Sequence, residues 1–573
     1  MNALASGPDV VLRPGIAYIQ GRGATLGIQS DDQVGTEINP TERRLRFCTD
    51  PARLTDIGWN LTLFAGTPDD VRSAFQRIPA PILGPGGAVV GLSKTSPAIK
   101  DGYLFVDLTE SNASTLLPIV KRAGFPYVLI YGSTWAASLG SYDFNKKAYP
   151  SGLAGLRKVV QAANALGIKV GLHTLTSFVA KTDPLVPQAA CVGLLKDDHS
   201  TLYTDIDASA THIVAADALN GFPNTQAFYG DVKSGLDMLI DDEILSCPNI
   251  EKSARGVLDG CRRGLYGTRP TAHRAGAPIQ HLAERYGAYL ADLRGPLKAQ
   301  LAQRLGKLID EAGIDMVYFD GGEVGTANGD AAWFVAEQQI AILKQVHRPL
   351  LVEGSGVVPR LWPYLTRIVD DDFATLATID FLDQHKIGES RNGLQNILMP
   401  DNLGWLGLLK ENPAYPATTP EEIATYVARS LALDTPLGIE TQADALDRNP
   451  YTGRLLDVLA LGNRSLRSNM LSATDRTRLT QGMWYQDSRS PQALSPFRPI
   501  RFALDAPPPA SSRSWQRRRI KALRYASGGC SSAAPTPAAT SSSPFPRQRR
   551  STPYRPPPRS TTKTGACWPP ACL

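Results

Sequence analysis

From about residue 100 onward the chain alternates between two hydrophobic rhythms. Short unbroken apolar runs (GYLFVDL, YVLIYG, IKVGLHT, MVYFDGG, LLVEGSG) read as strands buried on both faces. Between them, apolar residues recur at helical spacing in NASTLLPIVKRAGF, SGLAGLRKVVQAANALG, LKAQLAQRLGKLIDEAG and AAWFVAEQQIAILKQVH. The second and third of these close on Gly167 and Gly313, as helix ends often do. TRIVDDDF, GLQNILMP and PLGIE supply a sixth, seventh and eighth strand, and PEEIATYVARSLALD a helix between the last two. Eight strand–helix units over residues 99–465 predict an α/β fold, a (β/α)8 TIM barrel. An open doubly wound sheet is the alternative, and no Gly-rich first turn supports it.

The flanks follow other rhythms. Residues 1–98 mix short apolar runs with turn residues and predict a β-rich N-terminal domain. Residues 184–280 interrupt the barrel after its third strand with strand-like runs separated by Gly, Pro and Asn, so a β-rich insertion is expected. It falls on the face where barrels do chemistry, which makes Arg262, Arg263 and His273 candidates for contact with substrate, although solvated or structural roles are the expectation. Residues 466–505 read as the start of a C-terminal β domain. From 506 to 573 the chain turns to Pro, Ser, Ala and Arg without any apolar period. This fits a disordered basic tail, and equally an out-of-frame end that truncates the C-terminal domain.

That tail changes the meaning of the net charge of +6. It holds 12 Lys and Arg and no acid, which leaves 48 bases against 54 acids in the rest of the chain. The body is mildly acidic, so no nucleic-acid partner is expected. No apolar run is long enough for a membrane span. The start MNALASGPDVVLRPG has neither a basic segment nor an apolar core of an export signal, and localisation stays open. The seven cysteines form no CxxC pattern; Cys247 and Cys261 are expected to be free buried thiols, with a bridge between them as the alternative. No metal and no cofactor is expected, because the HxH and HExxH spacings are missing. Nothing in the sequence speaks to oligomeric state.

In a barrel, side chains at the C-terminal strand ends line the mouth. Strand two ends at Tyr131, with Trp135 just beyond; strand three offers His173 and Thr174. Strand four ends in Asp320, with Glu323 in the loop; strand five gives Glu353. Strand six begins with Arg367 and ends in Asp370, Asp371 and Asp372; strand eight gives Glu440. Carboxylates at several successive strand ends suit glycoside hydrolysis, in which one attacks or activates water and the other protonates the leaving oxygen. In a retaining enzyme the two lie roughly 5–5.5 Å apart. Asp320 and one of the 370–372 run are the catalytic candidates. Tyr131, Trp135, His173, Thr174, Glu323, Glu353, Arg367 and Glu440 are the substrate-binding candidates, with pairing of Glu353 or Glu440 to Arg367 or another base as the alternative, and Trp362 is a further face for sugar stacking. The expected partner is a carbohydrate.

The stretches YPSGLAGLRKVVQAANALGIKVGLHT, IDMVYFDGGE and RIVDDDF resemble the melibiase-type α-galactosidase clan of glycoside hydrolases. The resemblance covers about residues 103–460 and extends to a looser bacterial group of this barrel type, in which CRRGLYGT belongs to the insertion. It implies a retaining two-carboxylate mechanism, with Asp320 as nucleophile and Asp372, ahead of Asp371 and Asp370, as acid/base. Two features depart from the clan. Tyr318 stands where its members carry a lysine, and their paired aspartates near the first strand are not evident. A uronic acid or an amino sugar therefore stays open beside galactose. A non-catalytic carbohydrate-binding barrel and a polysaccharide lyase are the competing functions.

Overall fold

A computed structural model describes residues 10–13, 16–20, 24–30, 36–39, 44–47, 61–77 and 90–472, with 191, 227–232, 323–330, 356–359, 370–371, 374–399 and 469–470 left out of the last span, and residue 476. Glu323, Asp370 and Asp371, the predicted tail and all but the first few residues of the expected C-terminal β domain lie outside these residues, and so does the side chain of Asp372.

The centre is a parallel barrel. Its strands are Tyr103–Val106, Tyr127–Ile130, Lys169–Leu175, Met316–Asp320, Leu351–Ser355, Arg367–Val369 continued by Asp372–Phe373, Trp405–Leu408 and Gly438–Thr441. Each pairs in parallel with the next, and Gly438–Thr441 pairs with Tyr103–Val106. The sixth strand closes the ring. Its first segment pairs with Leu351–Ser355 and its second with Trp405–Leu408. Ile368 also bridges Asp401, just ahead of the seventh strand. The expected seventh strand, GLQNILMP, falls outside the described residues except for Pro400; WLGL takes its place.

Alternation along each strand sorts the side chains. Tyr103, Phe105, Tyr127, Leu129, Met316, Tyr318, Leu351, Val369 and Trp405 form one buried cluster inside the ring. The intervening residues, such as Leu104, Val128, Leu172, Val317, Phe319 and Ile439, pack outward in a second cluster with the helices. Helix Leu153–Ala165 buries Leu156, Val159, Val160 and Ala163 at helical spacing. Helix Leu297–Ala312 ends at Gly313, whose φ of 79° is the left-handed conformation that stops it. Helix Pro420–Leu433 starts with a reciprocal capping box between Thr419 and Glu422. Among the described residues, no helix is long and apolar enough to cross a membrane.

Ahead of the barrel, four strands between Val10 and Gly66 form an antiparallel sheet, and helix Pro68–Gln76 packs Val71 and Phe75 beneath it. Phe75 meets Trp362 edge-on, with ring centroids 6.1 Å apart, and the Lys94 ammonium sits 4.1 Å over the same indole. Trp362 is thus fully buried between elements, a correction to its reading as a sugar platform.

After the third barrel strand the chain builds three small antiparallel sheets from strands that run from Phe178 to Leu290. They enclose their own core, with Ile213, Phe222, Met238, Leu245, Leu258 and Ile279 in it. Cys247 and Cys261 are joined as a disulfide in this core, which corrects the expectation of free thiols. The cause is register: Ser246 bridges Arg262 antiparallel, which sets the next residue of one run against the preceding residue of the other. Glu243 is fully buried and binds the Arg263 guanidinium twice, at 2.7 Å each, and His273 Nε2 at 2.9 Å. Arg263 and His273 are therefore structural, while Arg262 is exposed.

Burial alone pushes the Glu243 carboxyl up, but hydrogen bonds from Arg263, His273 and the Thr271 and Gly264 amides more than reverse this, and it ends below its ordinary value. Its stabilisation is complete above the ordinary glutamate range and is lost as pH falls through the depressed folded value. Glu243→Gln, which leaves Arg263 buried without its partner, is expected to cost roughly 3–5 kcal/mol. Denaturant melts that monitor the insertion check this; the difference from wild type should shrink on acidification.

Candidate active site

The mouth is organised around Asp320, which ends the fourth strand on the inward face. Its side chain is 30 % exposed. Oδ2 lies 3.1 Å from His173 Nε2, and Oδ1 accepts from the Tyr318 hydroxyl at 3.2 Å and the Gly321 amide at 2.8 Å. Burial by itself raises this carboxyl; the bonds from His173, Gly321 and Tyr318 outweigh it and hold Asp320 below its ordinary value.

Gly321 explains the glycine after the aspartate. Its φ of +72° turns its amide back toward Oδ1, and a Cβ there would meet Phe178 Cε2 at 2.6 Å. The opening of the insertion thus packs against the turn that carries the carboxylate.

The tautomer of His173 follows from its other nitrogen. Nδ1 lies 3.2 Å from the Gly132 amide, which can only donate, so Nδ1 is the acceptor and Nε2 carries the hydrogen to Asp320. The strand is held behind the ring as well. Trp135 Nε1 donates to the His173 carbonyl at 3.0 Å, and Tyr142 donates to the Leu175 carbonyl at 2.9 Å. Trp135 and Tyr142 stack at 6.1 Å with a 19° interplanar angle.

Below Asp320 and His173 lies an aromatic floor. Ring centroids separate by 4.0 Å for Phe105 and Tyr131, 4.8 Å for Phe105 and Trp405, 5.1 Å for Tyr318 and Trp405, and 5.4 Å for His173 and Tyr318. The inward parity of their strands marks Phe105, Tyr318 and Trp405 as floor residues; the signal was the two-residue period itself. Beneath the floor, Glu353 and Arg367 pair with both side chains 0 % exposed. Tyr103 donates to Glu353 at 2.6 Å, Trp405 Nε1 donates to the Tyr103 oxygen at 2.6 Å, and Arg367 donates to the Asp101 carbonyl at 2.6 Å.

The predicted residues divide accordingly. Tyr131, His173, Asp320 and Glu440 come together: Tyr131 hydrogen-bonds the Thr441 carbonyl at 3.1 Å and the Glu440 carboxyl, on which His173 also acts. Glu353 pairs with Arg367, as the alternative reading had it, and the two form an interior ion pair rather than substrate contacts because they sit a full layer below the strand ends. Thr174 is fully buried because it falls on the outward parity of its strand. Trp135 is fully buried behind His173, so its place is under the mouth. For the 370–372 run only the backbone of Asp372 is described, paired with Trp405.

No family model and no curated protein matches the chain. Among solved structures it is similar to an alpha-galactosidase from Thermus thermophilus in complex with stachyose, at 13% identity over 78% of this chain and 79% of that one, with a TM-score of 0.41. It is also similar to a GH36 alpha-galactosidase from Geobacillus stearothermophilus in complex with 1-deoxygalactonojirimycin (10% identity, 82% of this chain, 57% of that one, TM-score 0.43). A third is the alpha-galactosidase from Lactobacillus brevis (12% identity, 79% and 54%, TM-score 0.40).

Replacing His173 by Ala removes one of the donors that keep Asp320 ionised, so its carboxyl should titrate at higher pH. A carbon-detected NMR titration of Asp320 in the variant and the parent reads this shift; an unmoved Asp320 contradicts the arrangement.

Proposed function

We propose that the protein is a retaining glycoside hydrolase acting on an oligo- or polysaccharide. The observation that carries the reading is Asp320: an ionised, partly open carboxylate at the C-terminal end of a barrel strand, held by three donors above an aromatic floor. Asp320 attacks the anomeric carbon while the glycosidic oxygen leaves with a proton from a second carboxyl group. Water, deprotonated by that same group, then releases the sugar from Asp320. The acid/base role goes to Asp372, ahead of Asp371 and Asp370, on the sequence resemblance. Tyr131, Glu440 and Glu323 complete the sugar contacts. Tyr131, the partly open ring of the floor, offers a face for the apolar side of a pyranose. Galactose is one candidate for the sugar.

Asp320→Asn keeps the shape of the side chain and removes the nucleophile. It should cut turnover of a responsive glycoside by at least about a thousandfold while leaving the thermal melt nearly unchanged. Because Asp320 is held below its ordinary value, the acid limb of kcat/KM should lie below the usual aspartate range. Unchanged turnover in Asp320→Asn, or products with an unsaturated end, would remove the hydrolase reading.

A further inference from the structure

A second hollow lies outside the ring, where helices Leu153–Ala165 and Leu297–Ala312 run side by side. It encloses about 580 Å³, inside the range of roughly 300–1,000 Å³ typical of small-molecule sites. None of Asp320, His173, Tyr131 and Glu440 lines it. Its other walls are the loop after the second strand and the opening of the insertion. Asp183, buried between these two, ties them together. One of its oxygens accepts from the Ser141 amide at 3.0 Å and the Ser141 hydroxyl at 2.8 Å; the other accepts from the Leu185 amide at 2.9 Å. Gly140, at φ +111°, permits this approach, since a Cβ there would lie 3.2 Å from Asp183 Cγ. The shape of the hollow is therefore fixed by the chain itself.

Phe144, Leu153, Leu185 and Leu308 supply an apolar lining that rests against the main core. Around it stand Arg304 and Lys307 against Asp143 and Glu311, so the charges balance. Lys307 and Glu311 face each other at 3.7 Å along one helix. Arg304, half-buried, and Asp143, exposed, have no side-chain hydrogen bond or ion pair among the described residues. Two opposite charges that line one hollow without meeting leave a fork of donors and a pair of acceptors free for a ligand.

We propose that this hollow is a second carbohydrate site, which takes a neutral sugar unit of an oligo- or polysaccharide. Sugar hydroxyls both donate and accept, so they satisfy the Arg304 guanidinium and the Asp143 carboxylate together. The Phe144 ring covers the apolar side of the pyranose. A uronic acid or a phosphate would need an excess of bases, which the balanced lining does not provide. One loop separates the hollow from the mouth. Ser141 and Asp143 flank Tyr142, which turns inward at φ 54° to stack on Trp135, and Trp135 holds the His173 carbonyl. A chain held in the hollow therefore lies beside the mouth that cuts it.

That last link rests on the hydrolase reading; binding in the hollow does not, and the experiment separates them. Asp320→Asn protein with isotope-labelled leucine methyl groups is titrated with neutral gluco-, galacto-, manno- and xylo-oligosaccharides and followed by NMR. At least one should shift the methyl signals of Leu153, Leu185 and Leu308 to saturation. Arg304→Ala in the same background should weaken that binding about tenfold while keeping the thermal melt. No shift at these methyls across the set, or shifts confined to Leu129 inside the ring, would overturn the proposal. So would tighter binding of oligogalacturonates at the same methyls. With Asp320 intact, Arg304→Ala should raise KM for the bound chain as substrate, and an unchanged KM would remove the link to the mouth. Were the hollow to bind sugar while no glycoside is turned over, the hydrolase reading would fail and the site would stand.

Discussion

The hydrogen bond from His173 Nε2 to Asp320 is the contact on which the mouth depends. It is set from behind. The Gly132 amide fixes the tautomer of the imidazole, and the Trp135 indole holds its backbone carbonyl. A Cβ on residue 132 would lie 3.2 Å from His173 Nδ1, so the absence of a side chain there lets the two strands approach. Asp320 is consequently an ionised group in a largely apolar surround, kept so by donors that are in place before any ligand arrives. Such pre-set donors are what make a carboxylate useful in a reaction that builds positive charge on a sugar ring.

The deeper layer serves the upper one. Glu353 and Arg367 pair inside the ring, and Tyr103 ties that pair to Trp405, which is part of the aromatic floor. A buried pair of this kind adds little net stability but is costly to break one-sidedly. Here it anchors the strand that closes the barrel, because Arg367 begins the sixth strand and also binds the Asp101 carbonyl ahead of the first. The insertion adds a third level of support: Phe178, at its start, packs against the turn at Gly321.

Much of this was legible in the chain. Continuous apolar runs marked seven of the eight strands, and glycines closed two of the helices where the structure ends them. The place of Asp320 and His173 in the mouth was legible because both stand on the inward parity near the end of an apolar strand. Depth was harder to read. Glu353 ends its apolar run much as Asp320 does, yet the stagger of the strands puts it one layer lower. Thr174 neighbours His173 in sequence and faces the opposite way, a consequence of the two-residue period. The two tryptophans at 135 and 362 are large enough to serve as platforms or as packing, and sequence cannot tell these apart; contacts with His173 and with Phe75 decide for packing. The bridge between Cys247 and Cys261 depends on a pairing across the insertion that no local pattern announces.

In the proposed mechanism Asp320 is the nucleophile that bonds to the anomeric carbon of the sugar. The most direct measurement is covalent trapping. The protein is incubated with 2-fluoro glycosides bearing a good leaving group, digested, and the labelled peptide is located by mass spectrometry. A single glycosyl adduct on Asp320 is expected. An adduct on another carboxylate, or turnover of such a substrate with inversion and no adduct, would contradict it.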